Sequence, residues 1–320
     1  MSTERRLDGA QQGAKAAALP PPGAGTVALG CGNFGGVGSS PAFFGQGIAH
    51  DEAMRIMDRA WEAGITWFDT GDAYGGGSSE SWIGEWMAAR GVRPRLTTKV
   101  FHSTTGTPGD TGLAPERMRR QLAASLERLG VDRVDFYLAH EPDPDVPLDE
   151  TIACFESLQD EGLIGAWGLS NYDLAELRDR RPALVQNSFS LLQRDDENDV
   201  LPHCRAHGIP YVPFGPLAGG WLTGKYKRGE EYPEGSRMTQ RPGGYAHYNE
   251  DSVFDALDAL ADEAAERGVS MAGLAFAWVL HRCDGAVCGP NRAAHLDPIL
   301  EAMHIELSNE DVGRIGGFFP

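Results

Sequence analysis

The chain has 320 residues, 41% of them hydrophobic and 23% charged, which is ordinary for a soluble globular protein and enough to bury a large core. Lys plus Arg number 28 against 46 for Asp plus Glu, and the resulting net charge of −18 argues against a nucleic-acid partner. No apolar run approaches the roughly 20 residues of a bilayer crossing, and no basic-then-apolar leader is visible.

The first residues, 1–24, are rich in Ala, Gly, Gln and Pro and read as a flexible N-terminal tail, with 25–320 as a single folded unit. From Thr26 a rhythm of short apolar strand and amphipathic helix begins. The predicted strands are Val27–Cys31, Ile65–Phe68, Leu96–Val100, Val134–His140, Ile164–Leu169, Leu184–Gln186, Ile209–Phe214 and Ala286–Cys288. Between them, Ala53, Met57, Ala60 and Trp61 share one helical face, as do Met118, Leu122, Leu126 and Leu129, and Phe254, Leu257, Leu260 and Ala264. Gly64, Gly130, Gly162, Gly208 and Gly268 stand where C-cap glycines belong. Strands buried on both faces and alternating with helices point to parallel pairing. A (β/α)8 barrel is the economical closure, with an open doubly wound sheet as the alternative. The stretch from Leu217 to Asp251, rich in Gly, Lys, Arg and Tyr, is too long for an ordinary βα connection and reads as a flap or strap. The cysteines (Cys31, Cys154, Cys204, Cys283, Cys288) are scattered, without CxxC spacing, and read as reduced thiols of a cytoplasmic protein.

Two motifs invite a functional reading and lack its context. Gly30-Cys-Gly-Asn-Phe-Gly35 matches GxGxxG, yet a dinucleotide turn must open directly into a helix, and none is expected before about Asp51. His203 and His207 share a helical face beside Cys204, but no third metal ligand is apparent, and no HExxH is present. No metal is expected.

Chemistry concentrates instead at predicted strand C-termini. Asp69 follows the second strand, Lys99 lies near the end of the third, His140 ends the fourth, and Tyr74 stands in the glycine-rich loop after Asp69. In a barrel, strand C-termini form the active face, so these groups converge. A phenol titrates near ~10 when unperturbed, too high for ready proton exchange at neutral pH. An ammonium from Lys99 would favour the phenolate and lower that value, and Asp69 would hold Lys99 charged. His140 would donate a hydrogen bond to a substrate oxygen.

With these residues in view, the sequence resembles an aldo-keto reductase from about Thr26 to Ile315. Phe68-Asp-Thr-Gly-Asp-Ala-Tyr-Gly75 is similar to that family's FDTA-x-x-YG signature, Leu96–Val100 to its lysine strand, and Asp135–Pro142 to its histidine strand. Gly168–Asn171, Val185–Gln186 and Tyr211–Gly220 resemble its cofactor-binding segments. The resemblance implies a catalytic set of Tyr74, Lys99, Asp69 and His140, with Tyr74 as general acid in carbonyl reduction and base in alcohol oxidation. It implies a nicotinamide cofactor, NADP(H) by family habit with NAD(H) possible. Ser170, Asn171 and Gln186 match the positions that hold the carboxamide, and Phe214 matches the stacking aromatic. Gly215 stands where a serine is common. Pro216, Leu217, Gly219, Leu222 and Lys225 would follow the pyrophosphate under the strap, with Gly32, Asn33 and Asp69 on the facing side. At the adenine end the usual basic and acidic runs are thinned to Gly289, Asn291, Arg292 and His295, of which Arg292 could meet a 2′-phosphate. Phe34, Phe101, Phe43 and Phe44, with Trp82, are the candidate substrate wall, and the loops Phe34–Gly47 and His102–Gly112 the specificity loops. The partner is a small carbonyl or alcohol. Some relatives of this fold are channel-associated cofactor sensors, which is the alternative reading. A metal-dependent barrel hydrolase is a third, and lacks its ligands.

Overall fold

The structure, a computed structural model, describes residues 26–319; the tail expected over 1–24 lies outside the described residues. Seven strands form one parallel sheet: β1 (Val27–Gly30), β2 (Trp67–Asp69), β3 (Arg95–Val100), β4 (Val134–Ala139), β5 (Ile164–Ser170), β6 (Val185–Gln186) and β7 (Ala286–Cys288). Their order is β6-β5-β4-β3-β2-β1-β7, so each strand lies beside its sequence neighbour until β7 pairs back onto β1. The helices are α1 (His50–Glu62), α2 (Ser78–Arg90), α3 (Pro115–Leu129), α4 (Leu148–Asp160), α5 (Leu174–Leu177), α6 (Val200–His207), α7 (Arg237–Gln240), α8 (Asp251–Arg267), α9 (Met271–Arg282), α10 (Asp297–Ala302) and α11 (Asn309–Gly316).

The strand expected over Ile209–Phe214 exists only as two isolated parallel bridges, Val185 with Tyr211 and Ser188 with Phe214. The physical reason is in the segment itself: Pro210 and Pro213 have no N–H to give to a ladder. The remaining groups still bond on both sides. Towards β6, Val212 N–H donates to Val185 O at 2.9 Å and Phe214 N–H to Asn187 O at 3.0 Å; towards β7, Val287 N–H donates to Pro213 O at 2.8 Å. These bonds curl the sheet round on itself, and the architecture is an α/β barrel.

The barrel has an inner and an outer core. Ala28, Trp67, Phe136, Leu138, Ala166, Leu184, Val212 and Val287 form a cluster of their own inside the ring, with Phe214 packed against it. The larger outer cluster joins the other strand faces, such as Leu29, Phe68 and Leu96, to the helices. The helical faces read from the sequence turn inward: Ala53, Met57 and Ala60 on α1, Met118, Leu122 and Leu129 on α3, and Phe254, Leu257, Leu260 and Ala264 on α8 are buried. Gly130, Gly208 and Gly268 terminate α3, α6 and α8 in the left-handed conformation.

Candidate active site

Strand alternation dictates which side chains reach the barrel mouth. With a period of two, an inward residue is followed by another two positions on. Trp67 inside places Asp69 inside; Leu138 leads to His140, Leu184 to Gln186, and Val212 to Phe214. Register adds Lys99, paired with Leu138, and Ser170, paired with Gln186. Six consecutive segments thus deliver their last inward side chain to one end.

There the acid and the bases meet. Lys99 Nζ donates to Asp69 Oδ1 at 2.5 Å and to Thr70 O at 2.8 Å, with Lys99 only 1% exposed. Gln186 Nε2 donates to the other oxygen, Asp69 Oδ2, at 2.9 Å. The Lys99 ammonium lies 5.2 Å from the centroid of the Tyr74 ring, and Tyr74 OH is 3.3 Å from His140 Nε2. Burial pulls the Lys99 ammonium down, but Asp69 and Tyr74 outweigh it and hold its pKa above the usual lysine value. His140 is driven far below the ordinary imidazole value by burial, by Lys99 and by His102, so its ring is neutral. Its buried Nδ1 has no hydrogen-bond partner among the described residues, which assigns the ring proton to Nε2, facing Tyr74.

For Tyr74 the balance differs from the sequence expectation. Lys99 does favour the phenolate, but burial is the larger effect, and the phenol's pKa is raised rather than lowered. A raised value keeps the proton on Tyr74 throughout the neutral range, and Lys99 limits the rise.

The loop that carries Tyr74 is built to present it. Gly75, Gly76 and Gly77 follow with φ of 59°, 66° and 94°, a left-handed run that a β-carbon would strain, and α2 begins immediately after. Ser79 Oγ, in the first turn of α2, donates to Cys31 O at 3.0 Å and lies 2.7 Å from Thr70 Oγ1, which ties the loop to both flanking strands. A β-carbon on Gly32 would stand 3.4 Å from the Tyr74 ring, so the first strand's end leaves room for the phenol.

On the cofactor side, Asn171 sits at the end of β5 with φ of 64°, and its amide donates to His140 O at 2.8 Å and to Ser170 Oγ at 3.2 Å. Gln186 is committed to Asp69, so it braces the ion pair as well as facing the mouth. Gly215 has φ of 69°, which accounts for glycine at that position. Phe214, Leu217 and Gly219 are partly exposed and Pro216 is buried. Leu222 is fully buried in the core, so its side chain packs rather than lines a ligand path. Across the mouth, Asn33 Nδ2 donates to Asn291 Oδ1 at 2.7 Å, and Asn291 N–H donates to His295 Nδ1 at 3.3 Å. Gly289 lies over Gly30 O, and burial, Lys225 and the exposed Arg292, in that order, lower the His295 pKa.

The family model described as "Aldo/keto reductase family" matches residues 26–318. The chain belongs to the aldo-keto reductase family. It is 34% identical over 299 residues to an uncharacterized oxidoreductase, YrpG, of Bacillus subtilis, covering 86% of this chain and 89% of that one. It is 32% identical over 257 residues to a putative voltage-gated potassium channel subunit beta of Schizosaccharomyces pombe, covering 73% of each. The solved glycerol dehydrogenase of Gluconobacter oxydans superposes with a TM-score of 0.79 at 26% identity, covering 92% of this chain and 90% of that one. As a member of this family the reductase interconverts a carbonyl and an alcohol with a nicotinamide cofactor.

The reductase contains site features that the sequence reading passed over. Arg237, on α7 in the strap, donates to Asn33 Oδ1 at 2.5 Å and so closes the strap over the first loop. Its pKa is lowered by burial and by Arg241, and among the described residues it makes no salt bridge. Lys225 is exposed, with its ammonium 5.0 Å from the Tyr226 ring centroid, and is likewise drawn down by partial desolvation and by Arg237. Neither cation makes a salt bridge among the described residues, and such a pair can receive an anion. The only sequence sign of Arg237 was the basic content of the strap. His102, two residues past the strand that carries Lys99, and Glu141, next to His140, pair at 3.2 Å beside the mouth. Asp72 is wholly buried, and neither oxygen meets hydrogen-bond geometry with a described residue, the nearest help being the Ala73 N–H. Burial and the charge of Glu80 push its pKa well up.

The expected aromatic wall is corrected in part. Phe34 is fully buried and packs on Trp82 at 6.5 Å between centroids, while Trp82 meets His50 at 5.3 Å. Phe34 anchors the first loop, since a ring with nowhere to touch solvent cannot touch a substrate, whereas Trp82 is partly exposed. Phe101 is partly exposed and lies edge-on to His102 at 5.2 Å. Phe43 sits under Arg241 at 5.7 Å, and Phe44 flanks Gly76; both are partly exposed at the rim. Among the described residues there is no cluster of three or more metal-ligating side chains, and no helix is long and apolar enough to cross a membrane. The five cysteines are all buried and free.

Proposed function

We propose that this protein reduces an aldehyde or ketone, or oxidises the corresponding alcohol, with Tyr74 as general acid or base and NADP(H) as its preferred cofactor. The observation that carries the reading is the convergence of Tyr74 OH on neutral His140 Nε2 at 3.3 Å, beside a Lys99–Asp69 pair that is buried and fully bonded. A substrate oxygen placed between phenol and imidazole receives two hydrogen bonds aimed at one point. Tyr74 holds the proton that the new alkoxide takes, and Lys99 stabilises the phenolate left behind. Asp69 keeps Lys99 charged, and Gln186 fixes Asp69. A bound nicotinamide supplies the two electrons.

Ser170, Asn171 and Phe214 would hold the nicotinamide end. Lys225, Arg237 and the left-handed backbone of Ala218, Gly219 and Gly220, with φ of 46°, 63° and 97°, would receive the pyrophosphate. Arg292 would meet a ribose 2′-phosphate, which favours NADP(H) over NAD(H). The eighth strand of a (β/α)8 barrel is then the doubly bridged segment Ile209–Phe214, and 25–320 is one domain. Buried free thiols suit a reducing, cytoplasmic setting.

The test is NADPH consumption with a reactive aromatic aldehyde. Tyr74→Phe should lose about a hundredfold or more in turnover while cofactor still quenches tryptophan fluorescence. Full turnover by that variant refutes the mechanism. The similarity to a channel subunit beta keeps a second reading in play, a cofactor-sensing subunit; tight cofactor retention without turnover on many carbonyls would favour it.

A further inference from the structure

We infer that His102 and Glu141 form a polar recognition wall for a hydroxyl on the carbon next to the reacting carbonyl, making hydroxyaldehydes and hydroxyketones the favoured substrate class. The inference rests on the carbonyl-reduction reading above. The His102 ring stands edge-on to His140 with 4.8 Å between centroids, so the pair begins where the catalytic imidazole ends. Its Nε2 is 3.2 Å from Glu141 Oε1, and the two side chains are 24% and 45% exposed, open to a ligand in the mouth. Nδ1 of His102 and Oε2 of Glu141 have no hydrogen-bond partner among the described residues. His102 holds the Glu141 carboxyl below the usual range despite partial burial, so it is an ionised acceptor.

The pair is held from behind. Buried Arg117 donates to His102 O at 2.8 Å, and Tyr172 OH reaches Glu141 O at 3.5 Å, which fixes both backbones. A ring that gives its Nε2 proton to Glu141 has an accepting Nδ1, so Nδ1 and Oε2 offer two acceptors to one substrate hydroxyl, whereas an unsubstituted alkyl chain would leave both to water. The carboxylate also disfavours an acidic group at the same position. Phe101, partly exposed and edge-on to His102 at 5.2 Å, adds an apolar ring beside the pair.

The experiment compares kcat/KM for 2-hydroxypropanal and propanal, which differ by one hydroxyl, in the parent, His102→Phe and Glu141→Gln. The phenylalanine keeps the edge-on ring. The glutamine replaces a side chain that is 45% exposed and keeps its shape, so the test survives if the first variant fails to fold. The parent should prefer the hydroxylated aldehyde, and each folded variant should lower the ratio about fivefold or more, through KM rather than kcat. A folded variant whose ratio stays within about twofold of the parent overturns the inference. A parent that turns over neither aldehyde overturns the carbonyl-reduction reading instead.

Discussion

The buried Asp69–Lys99 pair permits a prediction whose size follows from its surroundings. Asp69→Asn removes the negative charge and keeps the shape, so Lys99, 1% exposed, faces an uncompensated environment. Losing one partner of a buried ion pair costs about 3–5 kcal/mol. A ceiling comes from the lysine itself, which can shed its proton. From a reference of 10.5, neutralisation at pH 7 costs about 1.36 kcal/mol for each of three and a half units, or about 4.8 kcal/mol. For 320 residues the unfolding entropy is about 0.7 kcal/mol per kelvin, so a loss of 3–5 kcal/mol lowers Tm by about 4–7 °C. The assay is urea unfolding of the cofactor-free protein at pH 7 and pH 9. In the variant the folded-state pKa of Lys99 falls below its unfolded value, so the folded state binds fewer protons and its deficit shrinks as pH rises towards 10.5. Adding Lys99→Met removes both charges, and the double variant should be more stable than the sum of the singles by about 2 kcal/mol. A loss below about 1 kcal/mol that is flat with pH and additive in the cycle would refute the account of a mutually dependent pair.

Further outcomes follow from the other buried groups. His140 has a depressed pKa, so its contribution is present above the unfolded value of 6.5 and is lost as pH falls below it; by pH 5.5 this amounts to about 1.4 kcal/mol, and His140→Phe should flatten that part of the stability profile. Asp72 has a raised pKa, so its stabilising proton is lost as pH rises through the folded value, and Asp72→Asn should raise stability by about 1 kcal/mol or more at alkaline pH, read by thermal unfolding. Because the Tyr74 phenol is raised, carbonyl reduction should be flat through neutrality and alcohol oxidation should climb with pH; Lys99→Met should move that climb to higher pH. Arg237→Ala should weaken binding of NADPH and NADH alike, whereas Arg292→Ala should weaken NADPH alone, each by about tenfold in a fluorescence titration.

The strands and helices were legible because their signals are local. A short apolar run between turn signals marks a buried strand wherever it lies, and the strand ends place Asp69, Lys99 and His140 together without reference to distant residues. Tyr74 was legible for the same reason, since its loop is spelled out by the glycines that follow it. Chemistry that depends on contact across the chain was not. Gln186 meets Asp69 at a separation of 117 residues and Arg237 meets Asn33 at 204, and no local pattern encodes either meeting. The burial of Phe34 and Leu222 is likewise decided by what packs over them. Ile209–Phe214 shows the boundary within one segment: its apolar run predicted the strand, its two prolines restrict the ladder, and only the closed sheet places it between β6 and β7. Tyr74 shows it in a single atom. Sequence supplied the lysine that lowers its pKa, whereas desolvation is set by every neighbour that excludes water, and in the folded barrel desolvation wins.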